Sequence, residues 1–188
     1  MAAALVFCVA LGKTLVYSSL AATSRQCIDD ALVALDGNPA ATNLLVVDLP
    51  AVSALGFPHA IRLERPERQV QVDVLSISPQ FLWGPARARS EVSIPEKGSL
   101  LLLRRDPPYL SSYIERAYLG DGTPFHGGEI LDRSGFTVRI LQAGEGRLEA
   151  FELRFRDPES GTRVILQGEG FHLRPLEIAL RGQEGESP

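Results

Sequence analysis

The stretch Asn43-Leu44-Leu45-Val46-Val47-Asp48-Leu49-Pro50 decides the fold. Its centre is a short, continuous apolar run with no polar alternation, the pattern of a strand covered on both faces. Leu49-Pro50 ends it, because proline has no amide hydrogen to give a ladder. Downstream, Val52–Leu63 reads as a compact connection of helical character, interrupted by Gly56 and Pro58. Val70, Val72 and Val74 then alternate along a second strand that ends at Ser78-Pro79. Strand, crossover and strand predict a parallel pair with right-handed connectivity. Upstream, Ser24 reads as a helix N-cap, and Ile28, Ala31, Leu32 and Leu35 share one apolar face. Asp29 and Asp30 suit the positive end of that helix, and Gly37 and Pro39 terminate it.

Beyond Glu91 the period changes. Glu91–Ile94, Ser99–Arg104, Gly135–Leu141, Arg147–Arg156, Thr162–Gln167 and Phe171–Leu180 read as strands between glycine- and proline-bearing turns. Phe136, Val138 and Ile140 alternate with Thr137 and Arg139, so one face packs and the other is wet. Tyr109–Leu119 fits a helix through Leu110, Ile114 and Ala117, or a lining through Tyr109, Tyr113 and Tyr118. The expected fold class is α+β: a short βα lobe with parallel strands, then an antiparallel β-sandwich or partly open barrel, behind an N-terminal hydrophobic helix. The expected division is 1–22 for the hydrophobic opening, 23–90 for the βα lobe, 91–180 for the β-rich lobe and 181–188 for a disordered tail.

With 188 residues the chain is long enough to bury a real core. Its 45% hydrophobic and 22% charged residues are ordinary for a globular protein and argue against disorder. A net charge of −4, with arginines scattered rather than clustered, gives no surface for nucleic acid. Cys8 and Cys27 are the only cysteines, and on one continuous helix they would lie roughly 28 Å apart, out of disulfide range.

Met1–Ala22 carries a single charge, Lys13. As a membrane helix it has about the ~20 residues needed, with a cation near its middle at a cost of about 3 kcal/mol. As a signal peptide it lacks a basic start. A buried strand at Ala4–Leu11 is the alternative, which would make Gly12-Lys13-Thr14 the end of a phosphate loop. Phe7 stands where that loop needs glycine. The membrane-associated readings are the expectation, with contact through residues 1–22, other transmembrane helices as further partners, and the soluble part extracytoplasmic.

No catalytic constellation is visible, and no cofactor or metal is expected. Three residues stand out as candidate ligand contacts. Asp48 ends the buried strand, where α/β sheets place functional acids, although capping the following turn is the favoured role. Trp83, in Phe81-Leu82-Trp83-Gly84-Pro85, suits sugar stacking, or packing between lobes, which is favoured. His126-Gly127-Gly128 echoes an esterase oxyanion loop, but no G-x-S-x-G elbow accompanies it. His126 with Glu129 gives two metal ligands where a site needs a third, so a turn histidine is favoured.

Ser24 to about Glu177 resembles the C-terminal soluble domain of uncharacterised bacterial polytopic membrane proteins. The matching stretches are Asn43–Pro50, Ala51–Leu63, Val70–Pro79 and Gly135–Leu141. The resemblance is architectural and implies a last membrane helix running into the domain, with Met1–Ala22 as the remnant of that span in a shortened member. That layout is similar to membrane glycosyltransferases using lipid-linked sugars, by analogy alone. The functional expectation is a non-catalytic accessory domain. A soluble α/β enzyme or nucleotide-binding protein using Gly12-Lys13-Thr14, and a secreted carbohydrate-binding module using Trp83, are the alternatives.

Overall fold

The structure, a computed structural model, describes residues 2–78, 89–112, 115–116, 125–133, 135–144, 147–157 and 162–176, with side chains from Val16 onward, Thr162 excepted. The tail expected at 181–188 lies outside the described residues. In chain order the elements are α1 (Ala2–Asp36), β1 (Ala41–Val47), β2 (Leu49–Pro50), α2 (Ala51–Ala54), α3 (Phe57–Glu64), β3 (Gln71–Val74) and β4 (Ile77–Ser78). There follow β5 (Glu91–Ser93), β6 (Ser99–Leu103), β7 (Ile130–Asp132), β8 (Phe136–Gly144), β9 (Arg147–Phe155), β10 (Thr162–Glu169) and β11 (His172–Pro175).

β1 is the spine, as its unbroken apolar run implies. It pairs in parallel with β3 on one edge and β10 on the other, and β11 adds antiparallel to β10. Leu44 and Val46 enter a core with Leu35 of α1 and Phe57 and Ile61 of α3. Val47 faces the opposite way, into a second core with Leu100, Phe151 and Leu153. That second core belongs to an antiparallel sheet ordered β5-β6-β9-β8-β7. Helices, mixed sheet and antiparallel sheet therefore form three layers, and the fold is α+β.

Three sequence expectations change in detail. β10 and β11 are expected in the antiparallel lobe, yet β10 pairs in parallel with β1 and β11 adds to it antiparallel, completing the mixed sheet. Period-2 patterning fixes a strand's faces and leaves its partner open. Ser24 starts no helix, since α1 runs through it, and its hydroxyl instead donates to the Val52 carbonyl at 3.1 Å. Ala4–Leu11 is helical and so is Gly12-Lys13-Thr14, so no strand or phosphate-cradling loop forms there.

α1 packs against the body through its second half. Cys27, Ala31, Leu32 and Leu35 are buried, while Val16 and Tyr17 are 37% and 68% exposed. Burial pushes the Cys27 thiol above its usual range, so the free thiol is a packing group. Among the described residues no helix is long and apolar enough to cross a membrane.

The carboxyl end of α1 is closed by a cation. The Arg68 guanidinium donates to the carbonyls of Leu35 at 2.8 Å, Asn38 at 3.0 Å and Pro39 at 3.1 Å. The Leu35 and Asn38 carbonyls also accept from the Asn38 and Ala41 amides, so Arg68 adds a second donor to each, and its positive charge suits the negative end of the helix dipole. We expect Arg68→Met to lower the unfolding free energy by about 2 kcal/mol in urea titrations. A loss below ~0.5 kcal/mol would mean that water serves those carbonyls equally well.

Candidate functional site

The site grows from the end of β1. Asp48 follows the last strand residue with φ at +55°, a left-handed conformation that aspartate tolerates better than most side chains. That turn sends the chain into β2 and aims the carboxylate inward, where only 1% of the residue is exposed. Its Oδ1 accepts from the Ser76 hydroxyl at 3.0 Å and the Ser90 hydroxyl at 2.7 Å. Its Oδ2 accepts from the Ser90 amide at 2.6 Å and from Gln167 Nε2 at 3.1 Å. The Asp48 amide in turn donates to the Ser76 hydroxyl at 2.8 Å. One acid thus joins β1, the β3–β4 corner, the residue before β5, and β10.

The same turn explains Gly168. A Cβ on Gly168 would stand 1.9 Å from the Asp48 carbonyl oxygen, a backbone atom with no freedom to retreat. The parallel strands β1 and β10 come this close only because position 168 has no side chain.

Arg104, just past β6, extends the cluster from the antiparallel sheet. It is fully buried, with Nη1 3.5 Å from Asp48 Oδ1 and donating to the Ile77 carbonyl at 2.9 Å. Its Nη2 pairs with Glu115, and its Cζ lies 4.2 Å from the Tyr109 ring centre, a cation–π contact. Arg104 Nε has no hydrogen-bond partner. The Tyr109 hydroxyl donates to Ser90 Oγ at 2.6 Å, and burial raises this phenol well above its usual range, which keeps it a donor.

Glu115 is set by a capping box. The Ser112 amide donates to Glu115 Oε2 at 3.1 Å, and the Glu115 amide donates to Ser112 Oγ at 3.2 Å. Its other oxygen is left for Arg104. Formally, two carboxylates flank one guanidinium in a buried space, an arrangement that stands only while every member is present.

Of the sequence candidates, Asp48 lies at the centre of this cluster, closed off from ligand by its own partners. His126 is exposed and not part of it. It sits in a tight turn, where the Glu129 carboxylate accepts from the His126 amide at 3.1 Å. Trp83 lies outside the described residues. Among the described residues no three His, Cys, Asp or Glu side chains are grouped to hold a metal ion. Sequence reasoning missed Arg104, Glu115, Ser90, Tyr109 and Gln167. Only Glu115 left a local signal, the Ser-x-x-Glu spacing from Ser112.

No protein-family model, curated protein or solved structure matches the chain.

Removing the cation leaves two buried acids facing each other, so we expect Arg104→Met to cost about 3–5 kcal/mol. Tyr109→Phe, which removes one hydroxyl hydrogen bond, should cost about 1 kcal/mol. Equal costs in chemical denaturation would show that the charges are not coupled. Gly168→Ala should lose about 3 kcal/mol through the clash with Asp48, and a wild-type midpoint would refute that close approach.

Proposed function

We propose that the chain is a membrane-attached, non-catalytic accessory domain, held by the first half of α1 and presenting its layered body for contact with a partner or substrate. The observation that carries this is the exposure of Val16 and Tyr17 on α1, ahead of the buried turns at Cys27 and Ala31. The helix meets the body through Ser24, Arg25 and Cys27, which bond to Val52, Glu64 and the Phe171 carbonyl. Val16 and Tyr17, on the preceding turns, are uncovered, and the sequence before them is almost wholly apolar. Residues 2–23 would reach roughly 33 Å as a straight helix, about the hydrocarbon thickness of a bilayer. A helix of that length and apolarity is stable where lipid or other membrane helices cover it.

The non-catalytic part of the proposal draws support from Asp48. The acid best placed for chemistry, at the carboxyl end of a parallel strand, has both oxygens engaged by serines and Gln167. The architectural resemblance to C-terminal domains of polytopic membrane proteins, and an extracytoplasmic side for the body, belong to the same proposal.

Alkaline carbonate extraction of membranes from expressing cells should leave the full chain in the pellet. Release into the supernatant would overturn the proposal. Protease added to intact cells should cut the body if it is extracytoplasmic, and protection until the cells are opened would place it on the other side.

A further inference from the structure

Outside the buried cluster, at the same end of the sheet, lies an open crevice of about 440 Å³. Its described walls are Arg89, Gln167, Glu169, Arg174, Pro175 and Leu176. We propose that this crevice binds a phosphate oxyanion, which it meets either as a lipid headgroup or as free phosphate. The lipid source rests on the proposed membrane attachment, whereas the crevice itself does not.

Position is the first argument. In sheets with parallel strands, ligands bind outside the carboxyl ends of the strands, where the order of connection changes. Gln167 and Glu169 are at the carboxyl end of β10, which pairs in parallel with β1 just before Asp48, and β11 turns back there antiparallel. The volume falls within the range of small-ligand pockets, about 300–1,000 Å³.

Charge is the second. Arg89 Nη1 lies 3.8 Å from Glu169 Oε1, and Arg174 Nε lies 3.0 Å from Glu169 Oε2. Among the described residues of the crevice, two guanidinium groups share one carboxylate, a formal surplus of one positive charge. Each guanidinium carries five N–H donors in a planar fork that fits phosphate oxygens, more than one shared carboxylate can engage. A singly charged phosphodiester matches that surplus. Gln167 is the fixed floor, because its Nε2 is tied to Asp48 Oδ2 at 3.1 Å and to the Ser90 carbonyl at 2.7 Å.

Orientation is the third. α1 leaves the body at this end: Cys27 Sγ is 3.5 Å from the Phe171 carbonyl, and Asp30 accepts from the Leu173 amide at 2.8 Å. Residue 171 lies in the turn between β10 and β11, and Arg174 is three residues further on. With the first half of α1 in a bilayer, the two arginines face the headgroup layer, where anionic phosphates are concentrated.

The test uses the full chain in neutral detergent micelles, with the Nε–Hε signals of Arg89 and Arg174 and the side-chain amide of Gln167 followed by NMR. Sodium phosphate at constant ionic strength should shift them saturably, and sodium chloride should not. Arg89→Gln with Arg174→Gln should abolish the response, and Glu169→Gln, which removes the competing carboxylate, should tighten it severalfold. Circular dichroism checks that each variant is folded. Flotation with phosphatidylcholine vesicles, with and without one-third phosphatidylglycerol, then separates the sources. A gain with the anionic lipid that the double variant loses assigns the headgroup. A phosphate response without that gain assigns free phosphate. Failure to float with either vesicle removes the membrane reading and leaves the phosphate titration to stand alone. Equal shifts with phosphate and chloride, or none, would overturn the proposal.

Discussion

The carboxylate of Asp48 holds hydrogen bonds from three other segments at the point where β1 stops, and the layered body is organised around it. A parallel strand that ends inside a protein leaves polar backbone in an apolar setting, and such groups need partners. Here a left-handed turn places an acid over the strand end, and hydroxyls from Ser76 and Ser90 converge on it. Gln167 reaches it from β10, which lies against Asp48 only because Gly168 carries no side chain. Contacts remote in sequence, Asp48 to Gln167 across 119 positions, thereby fix the register of β1 against β10.

Arg104 makes the second sheet answerable to the same acid. The apolar contacts between the layers, through Val47, Leu100, Phe151 and Leu153, are non-directional and leave some freedom to slide. A guanidinium that must meet Asp48, Glu115 and the Ile77 carbonyl at once leaves little. Buried ion clusters are weak sources of net stability but strong sources of penalty when incomplete. In this fold their contribution is geometric: they set where the antiparallel sheet sits on the mixed one.

Much of this was legible in the chain. The unbroken run at 44–47 declared a strand covered on both faces, and the two cores on either side of β1 are what that pattern required. The face made by Ala31, Leu32 and Leu35 on α1 was equally plain. The partner of β10 was not, because Val164-Ile165-Leu166 between Arg163 and Gln167 describes a strand without naming its neighbour. The junction cluster was less legible still. Its members come from six separate stretches, and a serine or arginine in a loop reads as solvated until the fold encloses it. Asp48 was the exception, found through its place at a strand end, and its favoured role as a turn residue proved to be the local part of a wider set of contacts.

The two ends of the mixed sheet differ in a way that bears on function. At the end where α1 turns into β1, Arg68 and Asn38 satisfy the helix carbonyls and the polar groups are closed on one another. At the opposite end the acid is enclosed, yet outside it two arginines are held by one glutamate beside an open crevice. Because α1 runs down the sheet in the direction opposite to β1, the exposed Val16 and Tyr17 lie toward that second end. Under the proposed membrane attachment, one environment, an anionic lipid surface, would suit both the apolar start of the helix and the two arginines. The direction of the first helix relative to the first strand, set by a four-residue turn, is what brings the two features to the same side.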